Sequence, residues 1–183
     1  TSSVYDIEHN DFIESAIWTI SFDGNVLDTH RMDERPWTLH PYKQGAIAGL
    51  GRPLNGYLIL DANGDILEQN KDWESPTICA TRGENPVFGL ADGSVRSMDG
   101  ALVGSMQSAI SSVLKHPDGY LLADDQGNIE FVHNDVKWNA SGNDVVASSL
   151  GFDIDEKGSC WVARWNGSQG EVIVHSIADG RRI

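Results

Sequence analysis

The chain has 183 residues, 40% of them hydrophobic, which is the size of about one domain with a real core. Lys and Arg number 13 against 27 Asp and Glu, a formal charge of −14. That charge excludes direct binding of nucleic acid phosphates, which depends on cationic side chains. No apolar run reaches the roughly 20 residues of a membrane-spanning helix, so no membrane insertion is expected.

No N-terminal stretch reads as a signal peptide, and Thr1 in place of Met is read as a processed N-terminus. The compartment stays unknown. Asn139-Ala140-Ser141 and Asn166-Gly167-Ser168 match glycosylation triplets, a pattern common by chance. Cys79 and Cys160 stand alone in apolar strand contexts and are expected as two buried thiols. There is no Cys-x-x-Cys, and the six histidines show no helical metal spacing.

Along the chain, short apolar strands alternate with Asp, Asn and Gly turns. Phe22-Asp23-Gly24-Asn25 follows Ile17-Trp18-Thr19-Ile20, and Asp61-Ala62-Asn63-Gly64 follows Tyr57-Leu58-Ile59-Leu60. Ala91-Asp92-Gly93-Ser94 follows Val87-Phe88-Gly89-Leu90, and Asp124-Asp125-Gln126-Gly127 follows Tyr120-Leu121-Leu122-Ala123. Asn166-Gly167-Ser168 closes the series, so the turn glycines stand at 24, 64, 93, 127 and 167, in steps of 40, 29, 34 and 40. Asp bonds its own backbone two residues on, and Gly takes the positive φ of tight hairpins.

A second turn precedes each of the later strands, for example His116-Pro117-Asp118-Gly119 and Asp155-Glu156-Lys157-Gly158. The unit is thus a four-stranded meander of about 36 residues, and repeated radially it is a propeller blade. The fold class predicted is all-β: a single β-propeller domain of about five four-stranded blades, closed or part of a larger ring. The units run roughly 1–36, 37–72, 73–103, 104–138 and 139–183. Residues 104–114 read as strand rather than helix, and Val4 to Ile13 is expected to complete the sheet begun by Val172 to Ile177.

Several residues of this pattern resemble a known family. Gly151-Phe152-Asp153-Ile154-Asp155-Glu156-Lys157-Gly158-Ser159-Cys160-Trp161-Val162-Ala163 resembles a blade of the gluconolactonase/senescence-marker-protein family, within the NHL-like and WD40-like propellers. Ala46 to Leu50 continuing to Tyr57 to Leu60 resembles its second blade. Phe12-Ile13-Glu14-Ser15-Ala16-Ile17-Trp18 resembles its opening Glu-Gly-Pro-x-Trp segment. The resemblance implies a divalent cation, calcium or zinc, on oxygen ligands and assisted lactone hydrolysis. Glu14 takes the Glu position, while the Asp position falls on Leu150 and the Asn position on Ser111. Residues 151–183 also resemble a degenerate WD40 unit without its Gly-His and Trp-Asp dipeptides.

Other chemistry reads as turns and packing. Asp61-Ala62-Asn63-Gly64-Asp65 lacks the calcium-loop Gly at position six and Glu at position twelve, so a hairpin is expected. Trp161 and Trp165 lie on one strand face, as core packing between blades or as a stacking surface. Trp37, Trp73 and Trp138 fall in connections beside Asp33, Asp72 and Asp135. Aromatics among acids on such connections make a recognition surface. The function expected is a non-catalytic binding module for a protein, basic by charge, or a small ligand. A homo- or hetero-oligomer would complete the ring if the blades do not close alone. The alternative is a metal-dependent lactone hydrolase built on Glu14.

Overall fold

A computed structural model describes residues 1–133, 137–142, 146–152, 158–165 and 167–183. The named elements among them are all strands, and no helix is long and apolar enough to cross a membrane. The first sheet is β1 (Ser2–Asp6), β2 (Asp11–Ile20) and β3 (Val26–Met32), in that order. The second is β4 (Arg35–Tyr42), β5 (Gly45–Gly51), β6 (Asn55–Leu60) and β7 (Ile66–Trp73). The third has β8 (Thr77–Ala80), β9 (Val87–Leu90), β10 (Ser94–Ser97) and β11 (Leu102–Ser105). The fourth has β12 (Ile110–His116), β13 (Gly119–Asp124), β14 (Ile129–His133) and β15 (Lys137–Ala140). The fifth has β16 (Val146–Phe152), β17 (Ser159–Trp165) and β18 (Gly170–Ser176). Each is an antiparallel meander, as the turn pattern predicts.

The five turn glycines carry φ values between 78° and 92°, the region that favours glycine. Asp61 Oδ1 accepts from the Asn63 and Asp65 N–H groups at 2.8 and 3.0 Å. Asp124 does the same for Gln126 and Asn128 at 3.1 and 2.8 Å. The Asp61 segment is therefore a hairpin turn.

Two details correct the four-stranded repeat. The first and last sheets have three named strands. The turn also changes place: Gly64 joins the third and fourth strands of its sheet, whereas Gly93 and Gly127 join the second and third. The motif slips by one strand, which accounts for the short 29-residue step. An Asp-Gly turn is a local device, and any strand pair can use it.

The strand beside β18 also differs from expectation. β1 pairs with β2, and His175 bridges Arg182. The Ser176 N–H donates to Arg181 O at 2.8 Å, and the Ile183 N–H to Val174 O at 2.9 Å.

The chain divides into two compact units, Thr1–Pro86 and Val87–Ile183. In the first, Ile17, Met32, Ala48, Leu50, Leu58 and Leu60 form one buried cluster. In the second, Leu121, Ala123, Ile129, Phe131 and Trp138 pack with Cys160, Val162 and Ile177. Leu121 with Ala123 and Cys160 with Val162 are two-residue spacings, one face of each strand. Within each cluster two sheets thus hide apolar faces on one another, at about 1.5–3 kcal/mol per large side chain. Cys79 is half-buried and Cys160 buried, and they form no disulfide.

Candidate functional site

Four of the predicted residues lie toward one end of the β4–β7 sheet. Arg35 stands opposite Gly51, Leu50 opposite Gly56, and Asn55 opposite both Asp72 and Trp73. The start of β4, the end of β5, the start of β6 and the end of β7 therefore share that end. Asp33 precedes β4 as an exposed bend residue, and Asp72 is exposed near the end of β7. Trp37 and Trp73 lie within the strand ends rather than in the connections expected for them.

Local structure aims these rings. The β4–β5 register slips between Pro36 and Thr38, and such a bulge redirects the side chain of the extra residue, here Trp37. Pro36 fits because β4 is an edge strand and needs no outward ladder bond. Gly51 is required by close approach, since a Cβ there would meet the Trp37 indole and Pro76. Trp37 keeps 43% of its surface exposed. The Arg35 guanidinium lies over the Trp37 ring at 3.8 Å and over Phe12 of β2 at 4.1 Å. Phe12 meets Tyr5 edge-on at 5.2 Å.

Trp73 is half-buried and meets Tyr57 edge-on at 5.5 Å. The buried Tyr57 hydroxyl donates to Glu68 at 2.7 Å, and burial, then Glu68, push the phenol well above its ordinary pKa. Glu34 is buried beneath this end, and Lys71 Nζ meets its carboxylate at 2.8 Å. Asn55 accepts from the Arg52 N–H at 3.2 Å and donates to Glu74 O at 3.3 Å, tying two loops together. Two partly exposed rings, Trp37 and Trp73, thus lie toward one end of the sheet on its opposite edge strands, with exposed Asp33, Asp72 and Glu74 at the same end.

The remaining predicted residues lie elsewhere. Trp138 stands in β15 and is only 8% exposed. Its indole N–H donates to Ile177 O at 2.6 Å, and the ring stacks with Phe131 and His175 at 6.0 and 6.3 Å. It is core, because the chain after β18 folds over it. Asp135 lies outside the described residues. Glu14 is exposed on β2 and paired with Arg31, and the Ser111 hydroxyl donates to Asp124 O at 3.0 Å. Among the described residues no group of three or more His, Cys, Asp or Glu side chains could hold a metal ion. Trp161 and Trp165, expected as packing or as a stacking surface, are 47% and 51% exposed.

Sequence reasoning missed Phe12 and Arg35, whose partnership spans two sheets; the one signal was a cation two residues from Trp37 in a strand. It also missed a polar cleft of about 420 Å³ in the second unit, lined by Ser105, Gln107, Asn128, Glu130, Asn139 and Ser141. The Asn128 side chain there is committed to Asp124 at 2.8 Å and the Gly142 N–H at 2.9 Å.

The chain is similar in fold to a chain in the crystal structure of a mitotic checkpoint complex, with a TM-score of 0.76 and 12% identity. That match covers 93% of this chain and 57% of the other, so the chain spans a little over half of the matched protein's length. The C-terminal WD40 domain of Sif2 matches with a TM-score of 0.53 and 13% identity, over 90% of this chain and 61% of that one. The computationally designed Ika4 protein matches with a TM-score of 0.63 and 16% identity, over 80% and 93%. These likenesses show a β-propeller-like fold. No family model matches the chain, and no curated protein is similar to it in sequence.

Proposed function

We propose that the protein is a propeller-type interaction module that binds a protein partner at the open end of the β4–β7 sheet. The observation that carries this reading is the gathering of Trp37, Trp73, Asp33 and Asp72 there by strand register. A partly exposed Trp is the side chain most enriched among binding hot spots. Exposed carboxylates around it steer a cationic partner and fix its register. The first-named structural neighbour comes from a protein assembly, which supports a protein as the ligand. In this reading the five sheets are blades. The lactone hydrolase alternative rests on Glu14, whose carboxylate is engaged by Arg31.

Affinity capture from the source cells tests the proposal. Partners retained by the wild type should be lost from a Trp37→Ala, Trp73→Ala variant and kept by Trp161→Ala, Trp165→Ala. The reverse pattern would overturn it.

A further inference from the structure

We propose that the gap between Phe12 and Trp37 is a site for an arginine side chain of a basic partner, and that Arg35 occupies it in the unbound protein. The inference rests on the interaction reading and names the partner's chemistry.

The guanidinium of Arg35 is covered by two rings, at 3.8 and 4.1 Å. Among the described residues no carboxylate pairs with it, since the adjacent Glu34 is taken by Lys71. The cation is thus held by aromatic faces, which attract a guanidinium and match its plane. Two aromatic rings, at 3.8 and 4.1 Å from one guanidinium, are the chemistry of a cation clamp. A partner arginine can take the same place if Arg35 swings into water, and the exchange conserves the ring contacts. The exposed Asp33, Asp72 and Glu74 lie at the same sheet end, and the chain carries −14 overall. Both favour a cationic segment over an acidic or neutral one. Arg35 then acts as a built-in competitor, so the clamp accepts only a partner whose basic residue is reinforced by neighbouring contacts.

The test uses hexa-arginine as probe and hexa-citrulline as its neutral counterpart, in about 0.15 M salt. Arg35→Ala should bind hexa-arginine at least about fivefold more tightly than wild type, the size of one cation–π contact. Arg52→Ala removes one positive charge from the same sheet end and should gain less than about twofold, the residue of a screened charge. Trp37→Ala should weaken binding, and hexa-citrulline should bind none of the variants. Equal gains for Arg35→Ala and Arg52→Ala would reduce the effect to net charge and overturn the inference. If Arg35→Ala does not fold, a wild-type NMR titration decides. The Trp37 indole N–H should shift more than the other five, and an unmoved Trp37 signal under bound peptide would overturn the clamp. Equal gains together with partner capture lost in Trp37→Ala, Trp73→Ala would remove this inference alone and leave the interaction module standing.

Discussion

Trp37 and Trp138 sit in similar local sequence, Asp33-Glu34-Arg35-Pro36-Trp37 and Asp135-Val136-Lys137-Trp138, yet one is a surface ring and the other is core. The difference is made by what folds over each. Residues 177–180 close over Trp138: Ile177 O takes its N–H, and Gly180, at φ 70°, approaches so closely that a Cβ would overlap the indole. Over Trp37 lies the guanidinium of a side chain, Arg35, and 43% of the Trp37 surface stays exposed. A buried Trp satisfies its N–H and loses its recognition value; a half-exposed one keeps both a dry face and a wet edge.

The largest expected effect breaks the covered side of this comparison. Trp138→Ala should lower unfolding free energy by about 3–5 kcal/mol, the cost of emptying a large core site. A denaturant series showing a loss under about 1 kcal/mol would move Trp138 to the surface class. Gly180→Ala should cost about 1–3 kcal/mol, through its positive φ and the crowded ring, and in the Trp138→Ala background should lose the ring's share of that cost while keeping the share set by φ. A double-mutant cycle reads this directly.

Next in size is a contrast between two turns. Asp124 is fully buried and its carboxylate also accepts from Asn128 Nδ2 at 2.8 Å, so Asp124→Ala should cost about 1–3 kcal/mol. Asp61 makes the same turn contacts at a half-buried position, and Asp61→Ala should cost clearly less in the same assay. Equal losses would show that turn geometry, not burial, sets the value. Trp37→Ala should change stability by less than about 1 kcal/mol while removing partner binding. A larger stability loss would make Trp37 a packing residue like Trp138.

The smallest effect concerns His40 in β4, whose ring nitrogen lies 2.7 Å from Thr38 Oγ1. Burial, then the charge of Arg82, hold its pKa below the ordinary 6.5. Below that pH the unfolded chain binds the extra proton first, so stability falls as pH drops under 6.5 and levels off once the folded state is protonated too. His40→Gln should flatten that part of the stability–pH curve, and an unchanged slope would assign it to other groups.

What could be read from the chain was the part governed by local chemistry. The Asp and Gly turn pattern located the hairpins because the side-chain bonds and the positive φ lie within five residues. The strands and their all-β assembly followed. The slip of the turn by one strand between Gly64 and Gly93 was hidden, because a hairpin carries no mark of its rank in a sheet. Of the proposed site, Asp33, Trp37, Asp72 and Trp73 were named as residues, but their sharing one end of the sheet depends on register, such as Asn55 facing Trp73 across β6 and β7. Phe12 reaches Arg35 from another sheet, and nothing near either residue announces it. Trp138 was misplaced because burial is decided by the residues after β18, 39 positions away.

The central claim is that partners dock on the open end of the β4–β7 sheet. Hydrogen exchange of the protein with and without its captured partner tests it most directly. The account predicts added protection in residues 33–38, 51–56 and 70–76, with little change in 159–176. Protection confined to 159–176, around Trp161 and Trp165, would contradict it.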